Sequence, residues 1–327
     1  MVQEVVNNRI CLVVLGMHRS GTSALAGTLG LLGVTLPTDL FGPWPSNPKG
    51  HFEPYTLVAI HERMLAALHT AWHDIRHIGL ASLDSSTAQQ FKAELIKALQ
   101  TSYNDASLFV LKEPRICRFF PLVRSAIESF GALPRVVFCI RNPLEVVNSL
   151  RARDGTSLSH GLGLWLRYML DAELHSRDLP RVFIYFSEFL QDWRTIIGRI
   201  EQRLGIVLQG RSTNAANAVD EFVESGLRHH VANIHDLKGQ VGDRGWVLPC
   251  YEAFVELVRN PDDKAAMEQL DLVRTEFEEP ASFFGRGIKE YYSELARLRR
   301  VNAEQAEQLE KIKSELEGLR LEHGKRE

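Results

Sequence analysis

The chain has 327 residues, 45% of them hydrophobic and 24% charged, enough for one large α/β core with an appendage. Its formal net charge of −3 gives no overall electrostatic pull toward nucleic acid, so a charged partner would need a local basic patch. The polar stretch 1–9 runs straight into a strand and no run of roughly eighteen apolar residues occurs, so neither a secretory signal nor a membrane span is expected.

Residues 10–15 form an apolar run that predicts a buried strand, and the apolar-periodic stretch 24–32 predicts a helix. Between them lies Gly16 to Ser23, Gly-Met-His-Arg-Ser-Gly-Thr-Ser. Gly16 and Gly21 let the backbone turn tightly and aim several N–H groups at one point, which the positive end of the helix also faces. Such a strand–loop–helix start is a cradle for a phosphate-like anion. The nucleoside-triphosphate loop G-x-x-x-x-G-K-[ST] requires lysine where this chain has Thr22. Arg19 instead presents a planar fork suited to a tetrahedral oxyanion.

The loop 41–52, FGPWPSNPKGHF, is dense in Pro and Gly and too long for an idle connection. Helices are predicted over 54–68 and 88–102, followed by a short strand over 108–111 that runs into Lys112-Glu113-Pro114-Arg115. After a helix near 117–130, residues 136–140 form a β-branched and aromatic run that predicts another buried strand. Arg141 stands at its carboxyl end, where ligands bind in open α/β sheets. Asn142 as cap and Pro143 at the first position then open a helix. Ser149 follows two turns on and is placed to share an anion with Arg141. A triphosphatase would want an Asp for magnesium at such a strand end.

A helix over 158–176, a strand over 182–185 and a helix over 188–204 capped by Ser187 complete the alternation. The expected fold is α/β: a three-layer, P-loop-type parallel sheet with helices on both faces, plus a C-terminal helical segment and a coiled coil. Residues 1–285 form the main domain, with 220–285 as a helical extension, and 286–327 form the tail. In the tail Ile288, Tyr291, Leu295, Leu298, Asn302, Gln305, Leu309, Ile312, Leu316 and Leu319 alternate in steps of three and four, a heptad seam. With Ile288 at an a position Asn302 is also an a residue, a type that selects two parallel strands. A parallel homodimer through this seam, or a spacer toward another partner, is expected, and a single helix folding back on the domain is the alternative.

The paired motifs, G-x-x-R-S-G-T-S and R-x-P-x-x-x-x-x-S after a later strand, resemble those of the sulfotransferases that use 3′-phosphoadenosine 5′-phosphosulfate (PAPS). The likeness spans roughly Arg9 to Leu204 and is to the bacterial branch similar to carbohydrate and tyrosylprotein sulfotransferases. It implies that Arg19, Ser20, Gly21, Thr22 and Ser23 bind the 5′-phosphosulfate, and that Arg141 and Ser149 hold the 3′-phosphate. The K-[DE]-P likeness puts Lys112 near the oxygen bridging phosphorus and sulfur. A fixed ammonium there stabilises charge that develops as the S–O bond breaks. Asn47, Lys49, Gly50 and Glu53 match an N-x-K-G-x-x-E pattern of the same branch, which implies Glu53 as the base that deprotonates the acceptor. His51 is the runner-up, because a histidine titrates near neutral pH unaided.

No metal is expected. His61, His69, His73 and His77 contain no H-E-x-x-H pattern, and the four cysteines form no C-x-x-C pair. His229 and His230 could line a ligand edge. The unpatterned cysteines suit a reducing, cytoplasmic compartment. The acceptor implied by the resemblance is a hydroxyl, by default on a carbohydrate or glycoconjugate. Two other functions fit part of the pattern: a P-loop nucleotide or small-molecule kinase, needing magnesium and a lysine from elsewhere, and a non-catalytic nucleotide-binding coiled-coil scaffold.

Overall fold

A computed structural model describes residues 9–42, 49–79, 83–223, 231–241 and 245–323, with side chains to residue 316. In chain order its first elements are β1 (Arg9–Leu15), α1 (Thr22–Leu31), α2 (Tyr55–Ala67), α3 (Ser85–Tyr103), β2 (Leu108–Lys112) and α4 (Ile116–Ser129). Then come β3 (Ala132–Ile140), α5 (Pro143–Asp154), α6 (Leu158–Leu174), β4 (Arg181–Tyr185), α7 (Phe186–Gln191) and α8 (Trp193–Leu204). Four further helices finish the chain: α9 (Thr213–Val223), α10 (Ile234–Val241), α11 (Val247–Arg259) and α12 (Lys264–His323).

The strands form one parallel sheet in the order β2-β1-β3-β4. Both faces are covered, because alternate side chains of a strand point to opposite sides. Cys11, Val13 and Leu15 of β1 join a core with α2–α6, α11 and α12. Leu12 and Val14 join a second core with α1, α7, α8 and α9. This is the three-layer α/β arrangement that the alternation of elements predicts. No helix among the described residues is long and apolar enough to cross a membrane.

Two local expectations are corrected. The helix expected over 188–204 is two helices, and Ser187 does not cap it: α7 starts at Phe186 without a side-chain cap. The chain breaks at Asp192, whose carboxylate accepts from Thr195 N at 3.0 Å and starts α8. Strand β3 begins four residues earlier than the apolar run, at Ala132, and contains Pro134. Pro is tolerated there because β4 pairs with β3 only from Val136 onward, so the missing N–H has no second neighbour to serve. Separately, α12 is one helix of 60 residues that passes through Pro280 and through residue 285 without a break. At 1.5 Å per residue it is about 90 Å long.

Helix α6 carries a buried titratable group outside any anion site. His160 is 5% exposed, and its Nε2 donates to the His73 carbonyl at 2.8 Å. Burial pulls its pKa down to about 4. A histidine depressed in the folded state binds its proton more readily when unfolded, so its contribution to stability is present at neutral pH. That contribution is lost as pH falls from about 6.5 toward about 4. Urea midpoints near pH 7 and near pH 4.5 should show His160→Gln losing less stability on acidification than the wild type. Equal losses would clear His160 of the effect.

Candidate active site

The loop between β1 and α1 is a tight cradle. Gly16 has φ 151°, and a Cβ there would meet the Cys139 carbonyl at 2.9 Å. Gly21 has φ 89°, and a Cβ there would fall 2.1 Å from the Phe186 ring. Ser20 N bonds Met17 O at 3.1 Å, which closes a turn with His18 and Arg19 at its tip. Arg19 adopts φ 68°, a left-handed conformation unusual for a non-glycine residue and costly unless the surroundings hold it. The loop floor is Cys117, whose Sγ accepts from Gly16 N at 3.3 Å.

Two features suit the loop to an anion. Among the described residues no side chain caps α1, and no acidic residue stands in its first turn, which suits its positive end to an anion. The Ser20 hydroxyl is fully buried with no hydrogen-bond partner among the described residues, and Thr22 beside it is also buried.

On one flank stand the residues of the second motif. Asn142 caps α5 by accepting from Leu144 N at 2.9 Å, and Pro143 is the first helical residue, as the sequence predicts. Arg141 donates from Nη1 to the Arg19 carbonyl at 2.8 Å and from Nε to Glu145 at 2.8 Å, with its guanidinium 5.0 Å above the Phe186 ring. Arg19 Nε in turn donates to Ser149 Oγ at 2.8 Å. The two motifs therefore meet, although Arg19 and Ser149 are 130 residues apart in sequence.

Two residues here escaped the motif-based reading. Arg153 lies one helical turn beyond Ser149, with its guanidinium 5.4 Å from the Trp72 ring and an ion pair to Asp154 at 2.5 Å. Burial, then the charges of Arg153 and Arg141, push the Arg19 pKa down. Three guanidiniums thus crowd one another, an arrangement that a polyanionic ligand offsets. Glu145 links Arg141 to the Ala232 N–H at 3.0 Å. The signal was present: residues 145, 149 and 153 recur every four positions along α5, and Arg141 precedes them by the same step.

The other flank is built on Lys112, at the end of β2 and 2% exposed. Its ammonium donates to Glu53 Oε1 at 2.5 Å, to Ser23 Oγ at 3.0 Å and to the His51 carbonyl at 3.0 Å. These use all three of its hydrogens. Glu53 is 9% exposed, so the pair is largely withdrawn from water. The His51 ring packs edge-on to Phe41 with centroids 5.5 Å apart. Burial lowers its pKa, and the Glu53 charge opposes that shift. Of the two base candidates, only Glu53 has its side chain on Lys112.

Glu113 and Arg115 brace this flank. Glu113 is fully buried and accepts from His61 Nδ1 and from Arg115 Nη1, and Arg115 also pairs with Glu62 at 2.6 Å. Although burial opposes it, Arg115 and His61 hold the Glu113 carboxyl well below the usual carboxylate range. His18, a further residue not singled out from sequence, packs its ring 5.3 Å from Trp72 and 5.5 Å from Tyr168. Burial, then Arg153 and Arg115, pull its pKa well down, so the imidazole is neutral. Asn47, His229 and His230 lie outside the described residues.

No profile of a known protein family matches the chain, and no curated protein matches it in sequence. Solved structures similar in three dimensions include two sulfotransferase domains. One is the sulfotransferase domain from the curacin biosynthetic pathway, 16% identical with a TM-score of 0.38, covering 63% of this chain and 79% of that one. The other is the sulfotransferase domain from the Synechococcus PCC 7002 olefin synthase, 14% identical with a TM-score of 0.36, covering 69% of this chain and 90% of that one.

Proposed function

We propose that the chain is a sulfotransferase that moves a sulfuryl group from PAPS to an acceptor hydroxyl, by resemblance that of a carbohydrate or glycoconjugate. The observation that carries this is the junction of the two motifs: Arg141 on the Arg19 carbonyl and Arg19 on Ser149, each at 2.8 Å. That junction supports one binding site for a nucleotide charged at both ends. The buried Lys112–Glu53 pair across the loop supplies a cation and a base beside it.

In this mechanism the acceptor oxygen forms a bond to sulfur as its proton passes to the Glu53 carboxylate. The bond from sulfur to the 5′-phosphate oxygen breaks, and adenosine 3′,5′-bisphosphate leaves. Lys112 stabilises the charge that collects on the departing phosphate, once it exchanges one of its three protein partners for that oxygen. Gly16 to Ser23 hold the transferring group through backbone N–H groups and Arg19, and positioning supplies much of the acceleration.

Incubation with sulfur-labelled PAPS and a panel of hydroxyl acceptors tests the assignment. Transfer or slow hydrolysis without magnesium is expected. Dependence on magnesium would favour phosphoryl transfer, and binding without turnover would favour a scaffold. Arg141→Ala should weaken adenosine 3′,5′-bisphosphate about tenfold or more, and adenosine 5′-monophosphate little, since a lost charge-assisted contact costs about 1.5–3 kcal/mol. Equal weakening of both ligands counts against the 3′-phosphate role.

The partner we propose for the tail is a second copy of this chain. Leu309, Ile312 and Leu316 are 57%, 52% and 53% exposed along one stripe of α12. A helix with such a stripe buries it by pairing. Sedimentation of Leu309→Glu/Ile312→Glu should show the single-chain mass where the wild type shows twice that. An unchanged mass removes the tail as the dimer element.

A further inference from the structure

The link between α5 and α6 is only three residues long, 155–157, and α12 is fastened to both of its ends. Tyr292 Oη accepts from Ser157 N at 3.0 Å and bonds Ser157 Oγ at 3.1 Å, while its ring lies 4.0 Å from the His160 ring. Arg299 Nη1 donates to the carbonyl of Asp154, the last residue of α5. Gly155 makes room for that guanidinium: it has φ 67°, and a Cβ there would stand 2.6 Å from Arg299 Nη2. The carbonyls of a last helical turn lack partners within the helix, and a cation there both satisfies one and favours the negative helix end.

What α12 holds in this way is the part of α5 that faces the anion loop. Ser149 and Arg153 sit in the last two turns before Asp154, and Arg19 is bonded to Ser149. The other end of α5 is tied down separately, by the Asn142 cap and the Arg141–Glu145 pair. A second line of contact runs through the turn after α2. Ser293 Oγ lies 3.5 Å from His73 Nε2, and the neighbouring Trp72 carries Arg153 on its ring.

We propose that Tyr292 and Arg299 are positioning residues for the 3′-phosphate pocket: they hold the end of α5 so that Ser149 and Arg153 face the loop, which couples the tail helix to nucleotide binding. The proposal rests on the sulfotransferase assignment above. Arg299 stands where α12 leaves the domain. Ile288, Tyr292 and Leu295 are partly buried, whereas Tyr291 and the seam residues from Leu298 to Leu316 are exposed. Pairing in the tail therefore begins beside the clamp. By linkage, whatever pairs there changes nucleotide affinity by the same factor as the nucleotide changes pairing.

The test is calorimetry on the full chain with adenosine 3′,5′-bisphosphate and adenosine 5′-monophosphate. The wild type should prefer the bisphosphate. Tyr292→Phe/Arg299→Ala should bind the bisphosphate about tenfold more weakly, a typical coupling between sites, and the monophosphate within about twofold. Arg299→Lys, which keeps a cation at the α5 terminus, should restore most of the loss. An equal loss on both ligands, or none, overturns the proposal and leaves the assignment standing. A wild type with no preference between the ligands removes the assignment and this proposal together. Where the double variant fails to fold by circular dichroism, Tyr292→Phe alone decides, since it keeps the ring on His160. A loss of about threefold on the bisphosphate only is then expected, and an unchanged preference overturns the proposal.

Discussion

Glu53→Gln is expected to lower turnover by about 10²–10⁴-fold, the usual contribution of a positioned general base, while adenosine 3′,5′-bisphosphate should bind as it does to the wild type. The amide keeps the size of the carboxyl and keeps an oxygen that can accept from Lys112, so the 2.5 Å contact survives in altered form. What it loses is the ability to take a proton. The fold should therefore persist, and the change should appear in kcat and not in nucleotide affinity. Steady-state kinetics with a saturating acceptor decides. A kcat close to the wild type would remove Glu53 from the chemistry and turn attention to His51, whose ring stands on Phe41.

Lys112→Met should be both destabilising and inactivating. Methionine fills most of the volume, but Glu53 would then be left in a largely buried position without its cation. Removing one member of a buried ion pair costs about 3–5 kcal/mol, because the remaining charge has lost both its partner and its water. Ser23 Oγ and the His51 carbonyl lose a donor as well. Turnover should fall at least tenfold, about 1.4 kcal/mol in the barrier, through loss of charge stabilisation on the leaving phosphate. The double variant Lys112→Met/Glu53→Gln separates the two effects. It should regain much of the stability, since no unpaired charge remains, yet stay inactive. Urea unfolding of the three variants checks this. A double variant no more stable than Lys112→Met would mean that the pair does not carry the cost.

The elements that could be read in advance are those whose causes lie within a few residues. The strand around Leu12 and Val14, the glycine cradle from Gly16 to Gly21, and the Asn142-Pro143 start of α5 all depend on neighbours in the chain. The period of four from Arg141 to Arg153 belongs to the same class and was there to be used. The break at Asp192 was equally local, since its carboxylate bonds Thr195 three residues on, but Ser187 offered a competing cap. The start of β3 ahead of Pro134 was hidden for a different reason. A proline in a strand is excluded or allowed by the neighbour on its open side, and that neighbour, β4, begins about fifty residues later.

The sequence by itself determined the alternation of strands and helices, the glycine loop after β1, and the types of side chain available to it. Only the tertiary structure decided which of them meet: Lys112 with Glu53 across 59 residues, Arg19 with Ser149 across 130, and Tyr292 with Ser157 across 135. The reason is physical. Backbone preference and capping act over one or two helical turns and leave their mark in spacing. A buried ion pair or a guanidinium on a distant hydroxyl depends on how the sheet orders its strands and how helices cross it, and no local pattern encodes that packing.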